Sequence, residues 1–411
     1  MKANLRKYFE DVDATCTRCG GCDRAHEKEG FPSFQFGDLA RTLLDIDDAI
    51  AGGAKQAEVL TDDVVYPIRA CALCNECTAR CPKQIDAKQF MSNARAYLIE
   101  VRPWILDNYR HLRTDLAVNL FSAFRDVQGI HYDDLLLDGD TAADSDSLKT
   151  LFFAGCTLSS YTPDLTDAIC SYLERNERIA GMTTLCCGNP IRNSGALDEF
   201  DAYAAHLGEL LTQKGIGRII VACPNCFDAL TELVASGVIG PDIELVPLSE
   251  ILLAHGTCVD ADLLEQRGIH SVSVHDACHD RMRLRFADSI RALLPESVEV
   301  REMTHKGLRT ICCGSGGNVS CYDPDCCATR MTRRAEEFSA TGADALIVGC
   351  ISCASTLTQA VDAPVVHYLE LVFGHAIDHA ALDAAAAKIY DEGGYDLTSR
   401  MADETPVFPP A

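Results

Sequence analysis

The stretch TLCCGNP, residues 184–190, decides the fold of most of this chain. It places two cysteines and a glycine after a short apolar run, and ICCGSGG at residues 311–317 repeats the arrangement. Gly188 and Gly314 follow the cysteine pairs, and a residue without a side chain lets the backbone approach a bulky group closely. We therefore expect a domain that is used twice, with a cysteine-bound group in each copy.

The cysteines around the two stretches repeat in the same order. Each copy has one earlier cysteine, the Cys-Cys-Gly triplet and a later Cys-x2-Cys pair, and matched positions differ by 122 to 127 residues. The first set is Cys156, Cys186, Cys187, Cys223 and Cys226; the second is Cys278, Cys312, Cys313, Cys350 and Cys353. A nearly constant offset over five positions indicates an internal duplication.

Short β-branched runs precede these cysteines and alternate with helical stretches. The runs are LFFAGC, TTLCC and IIVAC in the first copy and SVSVHDAC, RTICC and LIVGC in the second, and ELVPLSEIL and PVVHYLELV close the copies. Such alternation predicts α/β units around a parallel sheet. Ligands of these sheets bind at the carboxyl ends of the strands, which is where the cysteines stand.

A different cysteine pattern occupies the N-terminal region. CALCNECTARCP supplies Cys71, Cys74, Cys77 and Cys81 before Pro82, which is the spacing of a bacterial ferredoxin [4Fe–4S] motif. CTRCGGCDRAH supplies Cys16, Cys19 and Cys22. In two-cluster ferredoxins the cysteine before proline ligates the other cluster, so we expect Cys81 to complete the site of the first three cysteines. Zinc is the alternative, although zinc sites generally use pairs rather than triplets.

His26 stands where the first motif would have its fourth cysteine. By the same exchange, position 26 would complete the cluster of Cys71, Cys74 and Cys77. A neutral histidine ligand removes one negative charge, which predicts a raised reduction potential. No proline follows His26, so a three-iron cluster or a displaced ligand remains an alternative.

Composition limits the class of protein. The chain has 22 cysteines and no apolar signal in MKANLRKYFEDVD, and in a reducing cytosol such thiols favour metal binding over disulfides. A net charge of −25 disfavours nucleic acid and anionic lipid as partners. The longest apolar run, ALIVGCISCASTL, is too short to span a membrane, and no dinucleotide-binding glycine fingerprint is present. We expect a cytoplasmic protein that receives electrons from another protein.

These motifs together resemble, over nearly the whole chain, the heterodisulfide reductase subunits in which a ferredoxin-type domain is fused to two cysteine-rich CCG domains. The gaps between cysteines are 29 and 35 residues in the first copy and 33 and 36 in the second, so the first gap is slightly short for that family. The pattern is also similar to the iron–sulfur subunits of anaerobic glycerol-3-phosphate, lactate and glycolate dehydrogenases.

The resemblance implies that each five-cysteine set holds a noncubane [4Fe–4S] cluster, beside two cubane clusters in the N-terminal region. Five thiolates exceed what one cubane or one zinc ion can use. A zinc ion in one copy is the alternative. The implied reaction is cleavage of a disulfide, such as the mixed disulfide of coenzyme M and coenzyme B, between the two clusters.

The copies differ around their first cysteines. HDACHDRMRLR places His279 beside Cys278, whereas AGCTLSSY has no histidine beside Cys156. A histidine titrates near neutral pH and could protonate a departing thiolate, so we expect His279 to act with Cys278 and Cys156 in catalysis. A histidine that only hydrogen-bonds a cluster sulfur is the alternative. Arg281, Arg283 and Arg285 predict a solvated or partner-facing edge, or a site for a sulfonate or phosphate.

The expected fold class is α+β, with a helical two-cluster ferredoxin-like domain followed by two α/β cysteine-rich domains. The expected boundaries are 1–110, a helical connection and acidic linker at 111–148, copies at 149–257 and 271–375, and a helical tail at 376–411. A flavoprotein or cytochrome b-type subunit would donate electrons and could hold the chain at a membrane. The alternative function is electron transfer for a flavin-dependent 2-hydroxy acid or glycerol-3-phosphate dehydrogenase, or for a quinone- or cytochrome-linked complex.

Overall fold

The N-terminal third of the chain is helical in the computed structural model, which describes all residues except 30, 32–33, 139–147, 391–396, 402–403 and 409–411. Its helices are α1 (Ala3–Thr15), α2 (Gly21–Glu29), α3 (Phe36–Ala51), α4 (Gln56–Val59), α5 (Asp62–Arg69), α6 (Glu76–Arg80), α7 (Ala87–Val101) and α8 (Leu120–Gln128). Phe9, Phe36 and Phe90 pack edge to face at the centre of this region, with ring centroids 5.0 and 5.6 Å apart.

Pro103 interrupts the helices that follow the N-terminal cysteine motifs. Helix α7 ends at Val101, and a 3₁₀ segment follows over Pro103–Leu112. Proline lacks a backbone N–H and pushes the residue before it out of the helical region, so α7 cannot continue through it. The predicted linker DGDTAADSDS, residues 138–147, lies outside the described residues except for Asp138.

The first cysteine set lies in an α/β unit with a four-stranded parallel sheet of order β2-β1-β3-β4. Its elements are β1 (Lys149–Phe153), α9 (Gly155–Tyr161), α10 (Pro163–Asn176), β2 (Gly181–Thr183), α11 (Asn189–Ser194), α12 (Leu197–Gln213), β3 (Ile216–Val221), α13 (Pro224–Ala235), β4 (Glu244–Pro247) and α14 (Leu248–Ala254). On the central strand β1, Phe152 pairs with Met182 and Ile220.

The second set lies in a matching unit with a parallel sheet of order β6-β5-β7-β8. Its elements are α15 (Ala261–Gln266), β5 (Ser271–His275), α16 (Arg285–Leu293), β6 (Glu299–Val300), α17 (Pro324–Ser339), β7 (Ala345–Val348), α18 (Ile351–Leu357), β8 (Val365–His367) and α19 (Tyr368–Phe373), with 3₁₀ segments at Cys278–Asp280, Gly307–Arg309 and Gly316–Cys321. The predicted mixture of helices and parallel sheets is confirmed.

One predicted strand is wrong. RTICC forms no strand, and the edge strand of the second sheet is the two-residue β6, which ends earlier, at Val300. The reason is that Arg281 uses the backbone ahead of Cys312: its guanidinium binds the carbonyls of Leu308 and Thr310, both at 2.7 Å. Those carbonyls therefore do not accept hydrogen bonds from a neighbouring strand.

A single apolar core runs through both sheets, and a separate one fills the N-terminal helices. Helices α20 (His379–Tyr390) and α21 (Leu397–Arg400) follow the second unit, and Ile389 of α20 packs with Phe124 of α8. Within the described part of the chain, no helix combines the length and the apolar character needed to cross a membrane.

Candidate functional site

Cysteines of both sets stand where parallel strands end. Cys223 precedes α13 directly after β3, and Cys350 precedes α18 directly after β7. Cys156 and Cys278 follow the ends of β1 and β5 by three residues. The two sheets direct these ends toward one cavity of about 250 Å³, which nine of the ten cysteines line together with His279.

The sulfurs form a continuous set rather than two separate groups. Cys186 Sγ lies 3.6 Å from Cys156 Sγ in the first copy, and Cys353 Sγ lies 3.3 Å from Cys313 Sγ in the second. Side-chain hydrogen bonds link the other members, namely Cys187 with Cys186 and Cys226, Cys223 with Cys226, Cys278 and Cys313 with Cys312, and Cys350 with Cys353. Cys223 and Cys350 contact each other and so join the two copies.

This donor set fits a bound metal cluster. All 22 cysteines are free thiols. Hydrogen bonds with the side chains of Cys313 and Cys350, together with burial, raise the pKa of Cys353 well above its ordinary value. Crowded, buried thiols resist ionisation unless cations lie among them, and thiolates are the ligands that iron–sulfur clusters require. The five thiols of each copy exceed the four ligands of a zinc site.

The packing of the protein itself requires the glycines after the cysteine pairs. Gly314 has a φ of +108°, and a Cβ there would lie 2.6 Å from the carbonyl oxygen of Cys327. Gly188 has a φ of +82°, and its Cβ would lie 2.9 Å from the ring of Phe200. Positive φ and close protein packing therefore require these glycines.

His279 lines the cavity and meets an acidic side chain from the first copy. Its Nδ1 lies 3.7 Å from Oδ2 of Asp228 on α13. Asp228 also binds the ammonium of Lys88, which is 2% exposed, and the guanidinium of Arg283. Burial opposes ionisation of Asp228, but the nearby imidazole of His279 and the charge of Lys88 lower its pKa well below the ordinary value. An anionic Asp228 thus faces His279 across the boundary between the copies.

The N-terminal cysteines lie around helices α2 and α6, which pack together. A Cβ on Gly21 would lie 3.5 Å from Cys19 Sγ and 3.1 Å from the carbonyl of Arg80, the residue before Cys81. Burial, followed by the charges of Cys74, Cys71 and Cys22, raises the pKa of Cys77. Ligation by Cys16, Cys19, Cys22, Cys81, Cys71, Cys74 and Cys77 stays a prediction.

His26 belongs to helix α2. Its side chain lies outside the described part of the chain, so its predicted ligand role stays a prediction.

The second N-terminal motif packs directly on the second copy. A Cβ on Gly317 would lie 2.4 Å from the carbonyl oxygen of Cys71, and one on Gly316 would lie 2.4 Å from that of Ala72 and 3.3 Å from Cys312 Sγ. No residue larger than glycine fits between these two backbones without moving them. The loop that carries Cys71 therefore lies against the loop that follows Cys312 and Cys313.

Two buried arginines hold this junction. Arg95 of α7 donates to the carbonyls of Cys71 at 2.6 Å and Gly317 at 2.7 Å, and also to that of Asn193 in the first copy. Arg281 donates to the carbonyl of Cys74 at 2.8 Å and pairs with the buried carboxylate of Glu76. Carbonyl oxygens and one carboxylate thus accept hydrogen bonds from the two guanidinium groups, which would otherwise be buried without acceptors.

The predicted solvated arginine edge is wrong for Arg281. Arg281 is buried, and Arg283 and Arg285 pair with Asp228 and Glu250. The physical reason is that Glu76 neutralises the Arg281 guanidinium in the interior, whereas Arg283 and Arg285 keep part of their side chains exposed. None of the three arginines lines the cavity.

Sequence reasoning did not find Lys88, Asp228 or Arg95. Lys88 and Arg95 are ordinary members of a helical pattern, and Asp228 is one of 61 acidic residues. The one available signal was the run of basic side chains in HDACHDRMRLR, because buried basic side chains need acidic partners elsewhere in the chain.

Comparison with known proteins agrees with the duplicated site. The family model of the cysteine-rich domain, CCG, matches residues 150–231 and 272–358, so the chain contains this domain twice. An uncharacterized iron–sulfur protein of Methanococcus maripaludis is 23% identical over 321 residues, which cover 77% of this chain and 60% of that protein.

Two reductase components are also similar. One component of the dihydromethanophenazine:CoB–CoM heterodisulfide reductase of Methanosarcina mazei is 27% identical over 53% of this chain and 55% of that component. One component of a fumarate reductase (CoM/CoB) of Methanothermobacter marburgensis is 23% identical over 77% of this chain and 63% of that component. The chain thus spans between about half and two thirds of the length of these three relatives.

Proposed function

We propose that this chain is the iron–sulfur subunit of a reductase and that it cleaves a disulfide between its two cysteine-rich domains. The convergence of both cysteine sets on one cavity carries this proposal. The contact between Cys223 and Cys350 joins the sets, so a disulfide in the cavity could reach both copies. The similarity to subunits of heterodisulfide and fumarate reductases supports a role in oxidation and reduction.

The reaction needs electrons and protons together. Breaking R–S–S–R′ consumes two electrons and two protons and releases two thiols. Noncubane [4Fe–4S] clusters, bound by the two cysteine sets, would supply single electrons at the S–S bond. The chain's own residues must exclude water, hold the disulfide and provide protons.

His279 is the proposed proton donor of the cavity. Its ring lines the cavity, and Asp228 faces its Nδ1 from the other copy. Asp228 is itself held by Lys88 and Arg283, so a fixed carboxylate lies beside the imidazole. A histidine held this way can donate its proton to a thiolate at Cys156, at Cys278 or on the substrate.

The N-terminal motifs would bind the cubane clusters that relay electrons to this cavity. The contact of Cys71 and Ala72 with Gly316 and Gly317 favours delivery to the second copy. A flavoprotein or cytochrome b-type subunit would be the external donor, at a membrane if that partner resides there.

A second candidate function is electron transfer alone. The likeness to a component of fumarate reductase (CoM/CoB) favours it, because one component of such a complex works with partners. The chain would then pass electrons to or from a flavin-dependent or cytochrome-linked partner without cleaving a disulfide.

An assay with a reduced viologen dye separates the two candidates. The anaerobically purified full chain is mixed with reduced dye and with the mixed disulfide of coenzyme M and coenzyme B, and dye oxidation is followed. Rapid oxidation that needs the disulfide supports the reductase. Dye oxidation only after a flavoprotein and its oxidised substrate are added supports electron transfer.

Cofactor content is tested independently of activity. About sixteen irons per chain, with equal sulfide, are expected for four [4Fe–4S] clusters. Electron paramagnetic resonance of the reduced chain should show both cubane and noncubane signals. About eight irons or fewer would contradict clusters in the cysteine-rich domains.

A further inference from the structure

A buried histidine, His275, lies against the sulfurs of the second copy. It ends strand β5 and is 1% exposed. One ring nitrogen lies within 4.8 Å of Cys313 Sγ and Cys353 Sγ, and the imidazole contacts Cys313 directly. On its other side, Arg334 Nε donates to His275 Nδ1 at 2.9 Å.

The arginine determines which nitrogen of the imidazole carries the proton. A guanidinium only donates hydrogen bonds, so Nδ1 must offer its lone pair and the single proton of the neutral ring must sit on Nε2. Arg334 is itself held by the carbonyl of His305 at 2.8 Å and by Glu337 at 2.7 Å. Nε2 is buried and makes no hydrogen bond, to sulfur or to any other atom, within the described part of the chain. A buried N–H donor is therefore left unsatisfied on an imidazole that lies beside the sulfurs.

The same proton argues against a ligand role for His275. A metal ion would need the lone pair of the nitrogen that faces it, and on Nε2 that position is occupied by hydrogen. His275, Cys313 and Cys353 thus do not form a three-residue metal site. The remaining role is a hydrogen bond to sulfur.

The first copy has no such donor at the matching position. Strand β1 ends at Phe153, three residues before Cys156, as β5 ends at His275, three residues before Cys278. Phe153 is fully buried, and its side chain offers only carbon atoms at this place. At this position, the two copies therefore differ in one N–H group beside the cysteines.

We infer that His275 donates an N–H···S hydrogen bond to the second cysteine set and makes a cluster bound there easier to reduce than one bound in the first copy. This rests on the clusters of the proposed function. Hydrogen bonds to the sulfurs stabilise the more negative, reduced state and so raise the reduction potential. The favoured copy is also the one that Cys71 and Ala72 contact.

The test is a redox titration of the full, cluster-loaded chain followed by electron paramagnetic resonance. Wild type should show two different noncubane potentials. His275→Phe, which copies the first domain, should lower the higher potential by about 59 mV, equal to a tenfold change for one electron. His275→Gln should keep it, because the amide oxygen can accept from Arg334 and the amide N–H can face the sulfur. Equal wild-type potentials, or no shift in a loaded His275→Phe, would overturn the inference.

A measurement on the wild type covers the case in which the variants do not fold. With ¹⁵N-histidine in the chain, electron–nuclear double resonance should show a weak nitrogen coupling and an exchangeable proton at one noncubane signal. A strong coupling would mean ligation, and no coupling would mean no contact; both would overturn the inference. Absence of any noncubane signal and of the corresponding iron would instead overturn the proposed function.

Discussion

Arg281 Nε donates a hydrogen bond to the carbonyl oxygen of Cys74 at 2.8 Å. The donor belongs to the second cysteine-rich domain and the acceptor to the second N-terminal motif, and 207 residues separate them along the chain. Both Arg281 and its carboxylate partner Glu76 are fully buried. This pair fixes the position of one cysteine loop relative to the other.

Replacing Arg281 should therefore weaken the whole fold. Arg281→Met leaves Glu76 buried with fewer donors, and we expect the free energy of unfolding to fall by about 3 kcal/mol. Urea denaturation followed by circular dichroism measures the change. The control is Arg285→Met, whose pair with Glu250 is about one third exposed and should contribute less than about 1 kcal/mol. Equal effects of the two variants would contradict this prediction.

Glu232 should make stability depend on pH. Burial opposes its ionisation, but the charges of Lys88 and Arg192 lower its pKa in the folded chain. A lowered folded pKa stabilises the protein above the unfolded value of about 4.3, and this contribution disappears as the pH falls through the folded pKa. Glu232→Gln should thus be less stable than wild type at about pH 7, and the difference should shrink below about pH 4.

Denaturation curves across this pH range test the prediction. Glu209→Gln is the matched control, because Glu209 is 63% exposed on α12. It should follow wild type at every pH. A Glu232→Gln difference that grows on acidification would have the wrong sign.

Loss of one cysteine in the first copy should change the spectroscopic signal of the second copy. Cys226 contacts Cys187 and Cys223, and Cys223 contacts Cys350. We expect Cys226→Ser to lose about four irons per chain and to alter the resonance signal of the second copy. Cys258→Ser, in an exposed loop, should keep the full iron content. An unchanged second-copy signal in Cys226→Ser would show that the two sets act separately.

Removing the cavity histidine should slow disulfide cleavage. If His279 donates the proton, His279→Ala should lower the rate of disulfide reduction by a factor of about 10² to 10⁴. Cluster reduction by the dye alone should stay unchanged. His206→Ala, on α12 away from the cavity, is the control. A His279→Ala variant with an altered cluster potential but a normal rate would indicate a hydrogen bond to sulfur instead.

The cavity should not select for anionic disulfides. Among the described residues that line it there is no lysine, arginine, aspartate or glutamate, whereas Asn193, Asn225 and Asn318 offer amides. We expect bis(2-hydroxyethyl) disulfide to be reduced with a kcat/KM at least equal to that of the disulfide of coenzyme M, which carries two sulfonates. A tenfold preference for the sulfonate would contradict this prediction.

The meeting of the cysteines could be predicted because it depends on local patterns. Strands of a parallel sheet end at one edge, so cysteines after strands such as β3 and β7 must meet there. Spacing alone also predicted the internal repeat, since each copy keeps its five cysteines in order.

The surroundings of the cysteines could not be predicted, because they depend on distant partners. Arg281 lies in a charged run of an acidic chain, which predicts a solvated surface, but Glu76 lies 205 residues away and pairs with it in the interior. RTICC has the composition of a strand, but the guanidinium of Arg281 donates hydrogen bonds to the backbone carbonyls of Leu308 and Thr310. The tautomer of His275 depends on Arg334, which carries no motif at all.

The contact between Cys223 and Cys350 has a consequence for biosynthesis. Chains fold from the N-terminus as they are made, at about 5 to 20 residues per second. The cavity between the two cysteine sets cannot close until Cys350 and the helix after it have left the ribosome, long after the N-terminal motifs are exposed. A metal group that uses both cysteine sets could therefore be completed only after the second copy has been made, and a chain that ends before Cys350 would lack one of its thiols.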